Sequence, residues 1–504
     1  VRIAFACMGR ENIEVEYLSA VCKAAGHQVE LVYDPGSFSI NDNVLYLPRL
    51  ERRYSRKAML VNRVCADPPD ALVFITESIT YPYLIDLARQ MRRRVDVPII
   101  FGGWHPTMTP HTVLANPEVD YVMIGESENT LPELLAMIAA ESDPAAVPGI
   151  YYRENGEVFS TGIRPLIEDL DTLPWPDKDL FAQEVNLSDD YNVAAGRGCP
   201  GACTYCRENV MRRIYGPRVH RRRKVSAILD ELEEMKRRYR FREVMISDPI
   251  FFTSKPWALE LLAGFKQRIG VMFRCFGQIK FLDEEIAQAL KDAGCYTVEF
   301  GLQTTNEKIR RETLLRPETD EDVRRAFAIC DRYRLRYDID HIFGLPGETA
   351  QDFVDAAHLY ADCRYINRVK VHLLYYYPGA PILRIAEQMG LADADDRRAA
   401  ESAEIGDISR VPSVQRPEVK DHIRQWKTFY KAMPLLGRRL GHAFIRRGWN
   451  RWFGHLPLAL EIFLQVLVAL RGRDYRFWMY TRYLFLRFRR HREVMREAKA
   501  KGWR

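Results

Sequence analysis

GRGCPGACTYC, residues 196–206, sets Cys199, Cys203 and Cys206 at the spacing Cys-x3-Cys-x2-Cys. It follows directly on YNVAAG, which reads as a β-strand, so the three thiols fall on a loop at a strand end. Three thiolates can each hold one iron of a [4Fe–4S] cube and leave the fourth iron open to another ligand. Zinc is the rival, but structural zinc takes four closed ligands, and only His220 offers itself as a fourth. A three-cysteine loop after the first strand of a strand–helix series favours the cluster.

Downstream, EVMIS, VMFRCF, YTVEFG, YDIDHIF and VKVHLLYY read as further strands, with helices between them that include Val225–Arg238 and Asp320–Tyr333. Six βα units in residues 191–390 predict a partial (β/α)6 barrel, shorter than the eight-fold form, with its site at the strand C-termini. Upstream, residues 1–140 alternate RIAFAC, QVELVY, ALVFIT, PIIF and YVMI with helical stretches. That pattern predicts a doubly wound, Rossmann-like parallel sheet with ligands beyond the strand ends. Residues 141–190, with the run Leu173-Pro174-Trp175-Pro176-Asp177, read as a linker. Residues 391–504 read as helical, and no solenoid-period repeat occurs. The fold class is α/β with a helical C-terminal region.

The motif resembles that of the radical S-adenosylmethionine (SAM) superfamily, Cys-x3-Cys-x-aromatic-Cys, with Tyr205 in the aromatic slot. The resemblance extends over about 191–385. It implies that SAM chelates the open iron and that one electron, from a reductant such as flavodoxin or ferredoxin, cleaves the sulfonium to a 5′-deoxyadenosyl radical. By the same resemblance Ser247 and Asp248 lie near the methionine moiety. Glu299 and Gln303 of VEFGLQ lie near the ribose and methionine ends, and Ile342 and Gly344 of HIFGLPGET lie beside the adenine. YYPGAP (376–381) resembles the family's Pro-Gly-Thr signature, with Ala380 where threonine is usual.

GGWHPT (102–107) followed by GESENTLPELL, with the Leu-Pro-x-Pro-Asp run, resembles the cobalamin-binding domain fused ahead of many radical SAM enzymes. It implies a cobalamin site at the strand ends, lined by Gly102, Gly103, His105, Thr107, Gly125, Glu126 and Glu128. Thr76, Glu77 and Ser78, after the central strand, are candidates for the lower cobalt face; for Ser78 a helix N-cap is an equal reading. The Asp-x-His-x-x-Gly motif of free-standing cobalamin domains, whose histidine ligates cobalt, does not occur. His105 therefore reads first as a loop histidine hydrogen-bonded in place.

A hydrophobic content of 47% and charged content of 28% are those of a folded globular chain. Seven of the ten cysteines stand singly, which excludes a disulfide scaffold. With no leader-like N-terminus, a cytoplasmic, reducing location is the expectation. The net charge of +6 hides an asymmetry. Residues 438–504 hold 17 Lys+Arg against 4 Asp+Glu, a net of +13, which leaves −7 on the rest. This tail interleaves 13 aromatics with the basic residues. It fits an interfacial helix on the inner face of an anionic membrane, with Trp478, Tyr480, Tyr483, Phe485 and Phe488 apolar and Arg482, Arg487, Arg489 and Arg490 at head groups. It equally fits a cap on the barrel with arginine stems over apolar surface, and fits nucleic acid least. The cofactor set implied is a [4Fe–4S] cluster, SAM and cobalamin as methylcobalamin. The expected reaction is methyl transfer to an unactivated carbon of an apolar or membrane-derived small molecule, with a cobalamin-dependent cyclisation or rearrangement as the alternative. A methylthiotransferase-like modifier would want a second cluster and a C-terminal β-barrel, and a cobalamin store would not want the cysteine motif.

Overall fold

An unbroken apolar run such as ALVFI cannot show one face to water, so it belongs inside a sheet covered on both sides. The computed structural model describes residues 1–39, 47–403 and 416–503. It pairs β1 (Arg2–Met8), β2 (Gln28–Asp34), β3 (Ala71–Ile75), β4 (Ile99–Gly102) and β5 (Tyr121–Met123) in parallel, in the order β2-β1-β3-β4-β5. Successive side chains serve opposite faces. Ala4, Ala6, Leu72 and Phe74 join one buried cluster, whereas Ile3, Phe5, Val73 and Ile75 join another. The crossover point of this strand order lies between β1 and β3, where such sheets take their ligands.

Residues 141–190 are more than a linker. β6 (Ile150–Glu154) and β7 (Glu157–Ser160) extend the sheet with antiparallel pairing beyond β5. The segment then ties the two halves together through Lys178, fully buried between Glu11 (2.8 Å) and Glu16 (2.7 Å) with its ammonium over the ring of Tyr191. Breaking a buried ion pair from one side costs about 3–5 kcal/mol, so this contact holds the two halves together.

β8 (Asp190–Ala194) opens the second sheet. After it, β9 (Gly196–Arg197) and β10 (Arg221–Arg222) form a short antiparallel ribbon. β11 (Glu243–Ser247), β12 (Met272–Gly277), β13 (Cys295–Gln303), β14 (Tyr337–Phe343) and β15 (Ile366–Leu373) follow in sequence order, all parallel. This is the expected six-stranded partial barrel. Thr319 and Thr349 start the helices Asp320–Tyr333 and Ala350–Asp362 with reciprocal capping boxes, satisfying backbone donors that would otherwise be orphaned.

Beyond the barrel the chain is helical, with 404–415 outside the described residues. Helix Pro417–Arg446 breaks at Gly437 (φ +62°), and Leu458–Gly472 and Tyr475–Ala500 follow. The last helix is a strap. Its Arg476 enters the barrel to pair with Asp338 (2.6 Å) and Asp474 (2.8 Å), both fully buried. Farther on, Arg482 meets Asp189 (2.6 Å), Arg490 meets Glu184 (3.2 Å), and the buried Arg487 donates to the Gly9 carbonyl (3.1 Å). Phe488 packs on Tyr54 with ring centroids 5.2 Å apart. The expectation that Arg482, Arg487 and Arg490 meet lipid head groups gives way here. Groups of the same chain already hold these guanidiniums, and on this helix only the barrel-cap reading describes them. Among the described residues, no helix is long and apolar enough to cross a membrane.

Candidate active site between the two sheets

The cysteine loop runs from β9 to helix Arg207–Tyr215, for which Cys206 is the N-cap residue. Its anchor is the buried Thr204, whose N–H donates to Leu314 O (3.1 Å) and hydroxyl to Thr313 O (2.7 Å), while its carbonyl accepts from Ile382 N–H (3.0 Å). These bonds leave the flanking thiols on one side. A side chain at Gly201 would stand 3.2 Å from Cys199 Sγ and 3.8 Å from Cys203 Sγ, so glycine keeps the space between the sulfurs open. Burial pushes the thiols of Cys199 and Cys206 up, to about 11 and about 12, and raises Cys203 as well, against the nearby Arg316. Deprotonating them needs a local positive charge, which metal binding supplies. Among the described residues no three His, Cys, Asp or Glu side chains form a site for one metal ion. Three thiols spread along one loop fit a cube, where each binds a different iron. His220 has its Nε2 4.0 Å from Asp248.

The strand ends of the barrel supply the neighbouring polar groups. Gln303 ends β13 after a break in register with β14, adopts φ +69°, and buries an Oε1 with no partner. A non-glycine residue held in the left-handed region with an orphaned carbonyl points to an incoming hydrogen-bond donor. Beside it, Arg316 Nη1 donates to Tyr205 Oη (3.2 Å) and lies 3.9 Å from Cys203 Sγ, with Glu318 3.0 Å from Nη2. The Gly344 and Leu345 N–H groups both donate to Glu348 Oε2 (2.9 Å each), and the other oxygen of Glu348 has no partner. Burial pushes the Glu348 carboxyl up to about 8. Ile342, two residues before Gly344 near the end of β14, is buried. These orphaned groups at strand C-termini fit a zwitterionic, purine-bearing ligand such as SAM. Other expected residues are already partnered. Ser247 donates to Asn192 Oδ1 (2.6 Å), and Asp248, fully buried, accepts from Arg222 Nε (3.1 Å) and Ile250 N–H (2.9 Å). Glu299 pairs with Lys370 of β15.

The strand-end loops of the N-terminal sheet face this loop. Gly103 has φ +97°, and a side chain there would meet Thr76 O at 2.8 Å, so only glycine lets β4 turn against β3. Thr107 Oγ1 donates to Gly103 O (2.8 Å) and accepts from Gly125 N–H (3.0 Å), joining the GGWHPT and GESENT loops. His105 is fully buried. Its Nδ1 hydrogen-bonds with Ser78 Oγ (3.0 Å), its Nε2 with Thr109 Oγ1 (3.3 Å), and its ring lies 4.3 Å from that of Tyr81. Burial brings its pKa down to about 3, so the imidazole is neutral and held at both nitrogens. Ser78 is thus a partner of His105 rather than a helix cap. At Gly102, Gly103 and Gly125 the space a side chain would take is filled by Met123, Thr76 and Tyr215, so these glycines serve the close packing of the strand-end loops.

Three acids of these loops reach across to the barrel. Glu77 accepts from Arg207 Nη1 (2.6 Å), the residue next to Cys206, and Arg207 also lies 4.3 Å over the ring of Trp104. Glu128 pairs with Arg197 (2.6 Å), two residues before Cys199. Glu126 takes both Arg221 Nη groups (2.7 and 2.9 Å) and the Ile167 N–H (2.9 Å). Burial alone would raise the Glu126 carboxyl; the guanidiniums of Arg221 and Arg197 outweigh it and hold it below the usual range. Tyr215, at the end of the post-cysteine helix, rests where a Gly125 side chain would be. Sequence reasoning had the acids but missed Arg197, Arg207, Arg221, Arg316 and Trp104. Arg207 and Glu77 stand 130 positions apart, and no local pattern links them.

Comparison with known proteins agrees with this division. The Radical SAM superfamily profile matches residues 193–360, and the B12 binding domain profile matches 10–135. An uncharacterized methyltransferase of Pyrococcus horikoshii is 27% identical over 58% of this chain and 63% of its own length. The anaerobic magnesium-protoporphyrin IX monomethyl ester cyclase of a Synechocystis strain is 32% identical over 29% of this chain and 31% of its own. The chain thus matches less than two thirds of the length of either relative. The cobalamin-dependent SAM radical enzyme OxsB, solved with aqua-cobalamin and SAM, shares the fold, with a TM-score of 0.65 and 12% identity over 99% of this chain and 80% of that one. The cofactors are accordingly a [4Fe–4S] cluster and SAM in the barrel and cobalamin on the N-terminal sheet. This chain belongs to the cobalamin-dependent radical SAM family, in which a B12-binding sheet precedes the radical SAM barrel.

Proposed function

We propose that the protein transfers a methyl group to an unactivated carbon of an apolar small molecule. The observation that carries this reading is the facing of the two sheets: strand-end loops of the B12-binding sheet grip the segments on either side of the cysteine loop, through Glu128–Arg197 and Glu77–Arg207. The bound cofactors together supply a carbon-centred radical route and a methyl carrier. The chain's own residues do the positioning. Cys199, Cys203 and Cys206 hold the cluster, and Gln303 presents its free carbonyl to SAM. Gly103 and Gly125 let the loops that would border the cobalamin pack closely on Thr76 and Tyr215. The ion pairs limit relative motion across the space between, where a misplacement of about 1 Å costs on the order of a hundredfold in rate.

The methyltransferase relative supports this reading. The cyclase relative, with its higher identity over a shorter stretch, favours a second one: ring formation or rearrangement without net methyl transfer. Protein reconstituted with iron, sulfide and hydroxocobalamin, then reduced with methyl-labelled SAM, separates the two. Methyl transfer requires label to appear on the cobalamin. Label that stays on SAM and on the methionine released with 5′-deoxyadenosine, and never reaches cobalamin or product, would favour the cyclase reading.

A further inference from the structure

Helix Tyr475–Ala500 is held down as a strap and leaves only Trp478 and Phe485 among the exposed large apolar side chains, so most of the exposed apolar surface of the tail lies elsewhere. Helix Leu458–Gly472 packs inward through Val468, Ala469 and Gly472. On its other sides Leu458, Leu460, Ile462, Phe463 and Leu470 are 41–55% exposed, and the neighbouring Leu440 and Trp452 are 55% and 61% exposed. Seven of the nineteen exposed large apolar side chains among the described residues therefore fall between 440 and 470. Such a concentration marks an interaction surface rather than scatter.

The charge of the same segment says what covers it. Residues 438–473, which carry these side chains, hold seven arginines and one acid, Glu461. Arg438 pairs with Asp362 (2.9 Å), and Arg471 donates to Leu435 O (2.7 Å). Arg439, Arg446, Arg451 and Arg473 are exposed and have no carboxylate partner among the described residues. A second copy of the chain is a poor occupant, because a two-fold contact would bring the same unpaired arginines together. An anionic lipid surface answers both features, taking the apolar side chains at the acyl boundary and the guanidiniums at phosphates.

We propose that residues 438–473 dock the enzyme on an anionic membrane surface, with Leu460, Ile462 and Phe463 inserted and Arg439, Arg446, Arg451 and Arg473 at the head groups. The proposal concerns the tail alone and holds whichever reaction the site performs. Its test is co-sedimentation of the full chain with vesicles of mixed phosphatidylglycerol and phosphatidylcholine, against vesicles of phosphatidylcholine alone. Binding should be about tenfold stronger to the anionic vesicles and weaken as salt is raised. Phe463→Asp and Arg451→Glu should each reduce it about tenfold, with thermal unfolding unchanged because both side chains are exposed. No binding to anionic vesicles at low salt would overturn the proposal, as would binding that Phe463→Asp leaves intact. A wild-type dimer that Phe463→Asp dissociates would also overturn it, and would assign the surface to a second copy.

Discussion

His105 is held in place by hydrogen bonds to Ser78 and Thr109, as the loop histidine that its sequence reads as first. A histidine in a glycine loop beside a cobalamin site invites assignment as a cobalt ligand, yet both ring nitrogens are engaged with Ser78 and Thr109. Electron paramagnetic resonance of the cob(II)alamin form should therefore show no superhyperfine splitting from an axial nitrogen. The same burial makes His105 a stability determinant. Its folded pKa is about 3, whereas an unfolded histidine titrates near about 6.5. Between these values the unfolded chain takes up a proton that the folded chain refuses, so stability is full above the unfolded value and falls as pH drops. From pH 7 to pH 5 this share amounts to about 2 kcal/mol. His341, equally buried and also held near 3, adds a share of its own. Denaturant titrations at the two pH values should show His105→Gln losing less stability on acidification than the parent. An unchanged difference would mean that the ring is not buried as described.

At the scale of elements, the strands and the cysteine loop were legible because their signals are local. A run such as ALVFI or a Cys-x3-Cys-x2-Cys spacing needs no partner to be recognised. The loops that face each other were legible only as separate pieces. Glu126 and Glu128 read as cobalamin-site acids, and nothing in GESENT tells that their partners are Arg221 and Arg197, 95 and 69 positions away. β6 and β7 were read as linker because their burial alternates weakly, and β7 is exposed along its whole length. The clamp makes its own prediction. Glu126 is buried with a two-pronged guanidinium, so Glu126→Gln leaves Arg221 with a weaker partner at a cost of about 3 kcal/mol. Hydrogen exchange should speed up in the β9–β10 ribbon and in the GESENT loop together, while the cores of β1 and β3 stay protected. Faster exchange in only one of the two would show that they are not coupled.

For the whole molecule, the chain closes on itself. The last helix leaves the barrel at Arg476, crosses the linker at Asp189 and Glu184, and ends with Val494, Met495 and Trp503 against the N-terminal core. The composition of 438–504 announced a special surface but could not say which arginines were free, because that depends on acids some 290–310 positions away. Asp474 shows the strength of the strap. Burial alone would raise its carboxyl, but Arg476, Arg368 and Asn367 together hold it well below the usual range. That contribution is present above the unfolded value of about 3.9 and lost only as pH falls below it. Arg476→Met should therefore destabilise the chain by about 3–5 kcal/mol near neutral pH, since it removes the guanidinium paired with the buried Asp338 and leaves Asp474 with Arg368 and Asn367 alone. A thermal unfolding curve that does not move would disprove the strap.

The central expectation is that the cluster and the cobalamin face each other across the gap that Glu77, Glu126 and Glu128 bridge. The most direct test is the spin relaxation of bound cob(II)alamin in protein whose iron–sulfur cluster is reduced, measured beside Cys203→Ala protein that binds cobalamin but cannot hold the cluster. Relaxation should be markedly faster in the parent, because a paramagnetic cluster lies close by, and slow in the variant. Identical relaxation in both, with iron and cobalamin fully loaded in the parent, would place the two cofactors apart and contradict the account.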